Sequence, residues 1–341
     1  MIVDVREVTK SFGAKQVLRD ITFCVPEGKW LSIVGSSGCG KSTLMQIIAG
    51  IADADRGRAS VCGSANAEVR RASVGYLLQD FPLYPSLSVH ENLRSATKRQ
   101  YAENGAALDE VIGELQLEPI LAQIPSTLSG GEQQRVALGR TLLLHRPVLL
   151  LDEPLSNIDV KMRRGVRRFL KQLCQRSGAT SILVTHDQED AISTSDLVGV
   201  LHEGQILQFG DPREVFDRPA TTFVGDTFGD VQMNWCPPRY LIPNEYGSGA
   251  DVEPGSEVLG VRESRFSISE QPREGYLKVR IIQREYLGSR TRLFLQHEDW
   301  EFSVVVDSRG SFDEAGSIWV RPDLASASRF RGGKRMDYGI S

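Results

Sequence analysis

"KWLSIVGSSGCGKSTLMQIIAG", residues 29–50, decides how this chain is built. A short apolar run of strand type ends at Gly35, and Leu44, Ile47, Ile48 and Ile51 then recur at offsets of three, four and seven, the spacing of one helix face. Between them, Gly35, Gly40, Lys41 and Ser42 fit the pattern G-x-x-x-x-G-K-[ST]. Glycine lets a backbone bend tightly, so the N–H groups from Gly35 through Ser36, Ser37, Gly38, Cys39, Gly40, Lys41, Ser42 and Thr43 can close around phosphate oxygens. Lys41 adds a positive charge and Ser42 a hydroxyl for Mg²⁺. The stretch therefore predicts strand, phosphate loop and helix, with Gly50 and "DADRG" closing the helix. Cys39 reads two ways, as a thiol acidified by the helix start or as an inert space-filler.

Working outward, "VLLLDEP" (148–154) ends an apolar run in two carboxylates, Asp152 and Glu153. After a phosphate loop, such a pair suits a metal-shell ligand and a group that polarises water. Val166, Phe169, Leu170, Leu173 and Cys174 repeat at helical spacing, Gly178 supplies a stop, and Ile182 to Val184 form another apolar run. That strand, helix, strand order predicts an α/β domain with much parallel sheet. "LSGGEQQRVALGR" (128–140) places a second glycine-bearing turn before a helix, although one nucleotide needs only one such cradle.

Near residue 236 the composition shifts. "CPPRYLIPNEYGSGADVEPGS" (236–256) is rich in Pro, Gly and Ser, and "YLKVRII" and "EFSVVVD" beyond it alternate as half-buried strands do. We expect a phosphate-loop α/β domain over 1–235 and a small all-β, barrel-like domain over 236–341, whose tail "RFRGGKRMDYGIS" reads as a frayed end. The length of 341 residues suits two domains. A formal charge of −4 excludes a general field drawing the chain to nucleic acid or anionic lipid. "MIVDVREVTK" has no basic leader and no run of about eighteen apolar residues occurs. Five scattered cysteines without CxxC spacing suggest neither disulfides nor zinc, and suit a reducing cytoplasm.

With these motifs in place, the chain resembles the ATP-binding cassette ATPases, specifically the subunit that powers a bacterial importer; "LSGGEQQR", Leu128 to Arg135, matches that family's signature. The resemblance covers nearly the whole chain. It implies a P-loop nucleotide-binding domain with a helical subdomain, followed by a barrel of the oligonucleotide-binding type that regulates and strengthens a dimer. It also answers the question of two cradles. In the family, Ser129, Gly130, Gly131 and Gln133 of one copy face the ATP held by the phosphate loop of the other, in a head-to-tail homodimer. Glu153 then corresponds to the residue acting on the attacking water, Asp152, Ser42 and Gln79 to the Mg²⁺ shell, and His186 in "LVTHD" to the switch histidine. Phe12 in "KSFGAK" corresponds to the aromatic stacked on adenine, though by itself it reads as core, and Asp159 in "SNID" to the aspartate communicating between sites.

The implied partners are two integral-membrane permease subunits, docked on Asp80 to Leu93, and indirectly an extracytoplasmic solute-binding protein. The implied location is peripheral, on the cytoplasmic face of the cell membrane. "FVGDTFGDVQMNW" (223–235) looks most like the carbohydrate branch; polyamine, iron(III), sulfate and molybdate are the alternatives. A soluble cassette acting on nucleic acid would usually carry two cassettes or a coiled-coil insertion, and neither is present. Three positions depart from the family: Gly139 sits within a helix, and Asn157 and Ile158 replace the usual Ala and Leu. "VRESRF" (261–266) resembles a C-terminal family element without its proline.

Overall fold

In the computed structural model, which describes residues 1–97, 108–229, 232–241, 257–307 and 316–336 and leaves aside the side chains of Val160, Glu189 and Asp190, the chain divides into two compact units, Met1–Pro212 and Arg213–Ser341.

The first unit begins with strands β1 (Val3–Phe12) and β2 (Lys15–Val25), which pair with β4 (Arg56–Val61) in an antiparallel sheet of order β2-β1-β4. The deciding run forms β3 (Trp30–Val34), all five residues buried, and helix α1 (Lys41–Ala49). Then come α2 (Ala67–Ser73), β5 (Val74–Leu77), α3 (Val89–Ala96), α4 (Leu108–Glu114), α5 (Gly130–Leu143), β6 (Val148–Asp152), α6 (Val160–Ser177), β7 (Thr180–Thr185), α7 (Gln188–Thr194) and the hairpin β8 (Leu197–His202) and β9 (Gln205–Gly210). The central sheet runs β5-β6-β7-β3-β8-β9, parallel except at β9.

Because side chains alternate along a strand, the sheet buries both faces. Leu77, Leu149, Leu151 and Leu183 point into one core with Leu93, Val111, Val136, Leu138, Val166 and Phe169 from α3 to α6. Leu31, Ile33, Val148, Leu150, Ile182 and Val184 point the other way, onto α1 and the antiparallel sheet. The helical face of α1 is as expected at Leu44, Ile47 and Ile48, joined by Met45. Ile51 departs from it: the helix ends at Ala49, Gly50 takes the left-handed conformation (φ 76°), and Ile51 lies past the stop, 52% exposed. Burying those four α1 side chains contributes about 1.5–3 kcal/mol each. That exceeds the roughly 1 kcal/mol lost by starting the helix without a side-chain cap.

The expected strand, helix, strand unit is β6, α6 and β7, with Gly178 as the left-handed stop at φ 67°. Gly139 has a packing reason: a Cβ there would lie 2.9 Å from Val111 Cγ1 and 3.1 Å from Leu93 and Leu115. Alanine favours a helix interior by about 1 kcal/mol over glycine, but overpacking a core costs about 1–3 kcal/mol. We expect Gly139→Ala to lower the thermal midpoint by a few degrees; a midpoint raised by the substitution would contradict the close-packing account.

In the second unit, α8 enters across the boundary (Pro212–Asp217), followed by α9 (Thr222–Thr227) and β10 (Met233–Cys236). Strands β11 (Val258–Arg262), β12 (Phe266–Ser269), β13 (Leu277–Tyr286), β14 (Arg290–His297), β15 (Trp300–Asp307), β16 (Ser317–Pro322), β17 (Ser328–Arg331) and β18 (Lys334–Arg335) complete it. They form two antiparallel sheets, β10-β11-β17-β18 and β12-β16-β13-β14-β15, around one core that includes Leu259, Val261, Leu293, Phe302 and Val320. Asn234 ties the sheets together by donating to Ser303 O (2.7 Å) and accepting from Ser303 N (2.9 Å).

The all-β expectation thus takes the form of two curled sheets, while the boundary falls at 212/213 instead of 235/236. The reason is long-range bonding: Arg262 donates to the carbonyls of Phe216, Gly225 and Phe228, and Thr222 N to Gly333 O. "VRESRF" is internal framework, since Arg262 also stacks on Phe216 and the fully buried Glu263 pairs with Arg292 at 3.1 Å. The Pro/Gly/Ser stretch from 242 to 256, residues 230–231 of the carbohydrate-like stretch and the last five residues of the tail lie outside the described residues.

Candidate active site

The sheet order brings four separate motifs to one edge. β5, β6, β7 and β3 are parallel neighbours in register, with Leu77 opposite Leu151, Asp152 opposite Val184 and Val34 opposite Thr185. Their C-terminal ends therefore coincide, which is where open α/β sheets hold ligands. Gln79, exposed in the turn after β5, then Asp152 and Glu153 after β6, His186 after β7 and the phosphate loop after β3 follow one another along that edge.

The loop is shaped as a cradle. Gly38 (φ 78°) and Gly40 (φ 110°) are left-handed, and a Cβ on Gly35 would strike Leu201 O at 2.2 Å. α1 starts with no side-chain cap and no acidic residue in its first turn, so its N-terminal N–H groups and dipole are left uncompensated, as suits an anion. Ser36 and Ser37 are exposed on the loop, Ser42 and Thr43 lie in that first turn, and Lys41 Nζ donates to Gly35 O (2.8 Å) and Ser36 O (2.9 Å).

A cleft of about 410 Å³ adjoins the loop, lined by Lys15, Gln16, Arg19, Ser37 and His202 among others. The β1–β2 hairpin forms its other wall, because Val17 O and Leu18 press so closely on Gly40 that a Cβ there would lie 2.7–2.9 Å from them. Phe12 at the hairpin's end is 55% exposed, with Lys10 Nζ 5.5 Å from its ring centre, so it is a free aromatic face and no core residue.

Cys39 is the inert alternative of its two readings. It is buried, and burial pushes its thiol above the ordinary value against the opposing pull of Lys41. We expect iodoacetamide at pH 8 to label the exposed Cys62 well before Cys39 in the folded protein; mass spectrometry showing Cys39 labelled first would reverse this.

Asp152 is 3% exposed and lies beside the Ser42 hydroxyl. Burial raises its pKa, Ser42 and Lys41 lower it, and Glu153 raises it again. A hydroxyl and a buried carboxylate are hard oxygen donors of the kind Mg²⁺ takes, so this pair fits that ion. Glu153 is left-handed at φ 49°, its N–H donates to Val184 O (2.9 Å), and its Oε1 lies 3.2 Å from His186 Nδ1.

The second cradle differs from the first. Ser129 caps α5, but Glu132 closes a capping box: its carboxylate accepts from Ser129 N (2.8 Å) and Ser129 Oγ (2.6 Å), which holds its pKa below the usual range. The signature thus carries an anion of its own. Gly130 faces open space, whereas a Cβ on Gly131 would sit 2.6 Å from Asn157 O. Gln133 spends its amide on Pro125 O and Leu128 O, bracing the turn, and Asp159 spends its carboxylate as the cap of α6. Of the two departures beside it, Ile158 fills the apolar core and Asn157 donates its N–H to Gln134.

Motif reading missed Gln134, which is fully buried and bonded to the loop after Glu153; its burial is a tertiary fact that no spacing announces. It also missed Asn92, whose amide holds the carbonyls of Tyr84, Leu87 and Ser88 and shapes the segment from Asp80 to Leu93. Arg140 of α5 braces the same segment, donating to Pro82 O (2.9 Å) and lying over the Tyr84 ring.

Comparison with known proteins agrees with this geometry. The sequence model of a family described as ABC transporter matches residues 18–156. The sn-glycerol-3-phosphate import ATP-binding protein UgpC of Ruegeria pomeroyi is 36% identical, over 90% of each chain. The sulfate/thiosulfate import ATP-binding protein CysA of Acinetobacter baylyi is 33% identical over 95% of each, and the Fe(3+) ions import ATP-binding protein FbpC 1 of Pectobacterium atrosepticum 34% identical over 84% of each. Among solved structures, a dimeric ATP-binding cassette in a post-hydrolysis state with ADP and Pi is 28% identical, with a TM-score of 0.54, 61% of this chain and 98% of that one covered. The match to this family, the identity to its import ATP-binding proteins over nearly the whole chain and the likeness to solved cassettes place the chain in the ABC transporter family as one of its ATP-hydrolysing cassettes.

Proposed function

We propose that the chain energises a bacterial importer as a head-to-tail homodimer on the cytoplasmic face of the cell membrane, with two permease subunits and, through them, an extracytoplasmic solute-binding protein. The alignment of Gln79, Glu153, His186 and the phosphate loop along one sheet edge carries this reading. Lys41 and the N–H groups from Gly35 to Thr43 bind the phosphates, and Phe12 stacks on the base. Ser42, Asp152 and Gln79 would hold Mg²⁺, which would supply charge neutralisation at the phosphates. Glu153 orients and deprotonates the attacking water, and His186 Nδ1–H steadies its carboxylate and brings a donor to the developing charge.

Ser129, Gly130 and Gly131 lie on a different helix start from this edge, and the open space at Gly130 suits an approaching phosphate from an opposing copy. Asp159, beside that helix, reports between the paired sites. A dimeric cassette among the similar structures supports the pairing. Tyr84, exposed on its braced segment, offers the permease a surface. A sugar or related carbohydrate is the proposed solute, supported by the sn-glycerol-3-phosphate import relatives; sulfate and iron import relatives of similar identity are the rivals.

The second unit is proposed to regulate. Its cavity of about 770 Å³, lined by Tyr240, Arg265, Phe266, Tyr276 and Arg321 among others, gives a small ligand room. The pairing is tested by dilution: the MgATP hydrolysis rate per chain is expected to fall with protein concentration once monomers predominate. A rate per chain that stays constant down to full monomer would reject the shared site.

A further inference from the structure

Gln134 lies in α5 one turn past the signature glycines and is fully buried. Its Nε2 donates to Glu153 O (2.6 Å) and Ser156 Oγ (3.2 Å), and its Oε1 accepts from Asn157 N (3.0 Å). Every polar atom of this amide is spent on the loop that follows Glu153. One turn earlier, Gly131 lets the helix approach the same loop at Asn157 O, where a side chain would collide.

Glu153 needs such support. A non-glycine residue persists in the left-handed region only where its surroundings over-determine it. Its N–H is tied to Val184 in the neighbouring strand, and its carbonyl accepts from Ser156 Oγ (3.1 Å) within the loop itself. Gln134 is what anchors that carbonyl from outside, on a helix whose cap is Ser129.

We propose that Gln134 is a positioning residue that locks the Glu153 backbone in its left-handed turn, so that the carboxylate meets His186, and joins it rigidly to the signature helix. The inference rests on the reading of Glu153 as the water-activating group. In a head-to-tail pair, the amide therefore links the half-site a copy keeps for itself to the half-site it lends its partner. Loss of the amide slows both centres of a dimer, the one holding Glu153 and the one facing Ser129.

Two substitutions test this. Gln134→Met keeps length and buried character but removes all three hydrogen bonds; its kcat for MgATP is expected to fall at least tenfold while KM stays within about twofold. Gln134→Glu gives a pH signature. Burial among oxygen acceptors raises a carboxyl pKa, so at low pH the protonated acid donates to Glu153 O and accepts from Asn157 N–H, as the amide does. At high pH it is an anion facing a carbonyl.

The ratio of Gln134→Glu to parent kcat should rise as pH falls from 9 to 6, while the Gln134→Met ratio stays flat. Taking ratios at each pH cancels any pH dependence common to all three proteins. In a mixed dimer of one parent and one Gln134→Met chain, both centres should be slow. A Gln134→Met kcat within twofold of parent, a Gln134→Glu ratio that does not rise, or a mixed dimer keeping half the parent rate would each overturn the proposal. Should Gln134→Met fail to fold, the Gln134→Glu ratio decides alone. A parent chain that hydrolyses no ATP would instead sink the underlying function.

Discussion

Glu153→Gln is expected to bind ATP as the parent does and to hydrolyse it about 10²–10⁴ times more slowly, the usual range for losing a general base. Glutamine keeps the volume and an oxygen that can accept from His186, 3.2 Å away in the parent, so the local packing survives. The backbone grip of Gln134 and Val184 on residue 153 is untouched by the change. What disappears is the anion proposed to take a proton from water. With cleavage stopped and both cradles intact, the ATP-bound pair should accumulate, visible as a dimer on size exclusion with ATP and as a monomer without it. A variant that turns over at the parent rate removes Glu153 from this role; one that no longer binds ATP shows the substitution to have damaged the cradle.

Lys41→Ala should weaken ATP binding by about 100-fold, read by calorimetry. Losing a hydrogen bond to a charged partner costs about 1.5–3 kcal/mol, and here a second loss adds to it. The ammonium group also ties Gly35 O and Ser36 O together, which holds the loop curved. An ammonium has three donors, so two can stay on the loop while the third meets a phosphate oxygen. Alanine leaves those carbonyls without that donor and the loop free to relax. A dissociation constant within threefold of the parent would show that the helix N-terminus alone carries the affinity.

The two substitutions separate the site's halves. In the proposed roles Lys41 acts on the ground state, so its loss should be read in binding, and Glu153 acts in the transition state, so its loss should be read in turnover. The signature contributes a third part whose present partner is internal. Glu132 holds the Ser129 hydroxyl, so in the proposed pairing an arriving phosphate would have to draw that hydroxyl away. Gly130 and Gly131 serve different ends within this turn. One leaves the surface open, and the other lets α5 touch the loop behind Glu153.

From the sequence alone came what depends on neighbours within a few residues: the phosphate loop between β3 and α1, the β6–α6–β7 unit, the glycine stops at Gly50 and Gly178, and the carboxylate pair at a strand's end. These are set by backbone sterics and side-chain periodicity, and those are local. Tertiary structure alone decided the rest. The order β5-β6-β7-β3, which gathers Gln79, Glu153, His186 and the loop on one edge, is a matter of which strands pair across long stretches of chain. The burial that silences Cys39, the contacts that require glycine at 131 and 139, the grip of Gln134 on Glu153 and the boundary at residue 212 all arise from groups distant in sequence meeting in space. A hydrogen bond or a steric limit between such groups exists only once the core has closed around them, so no spacing of letters records it.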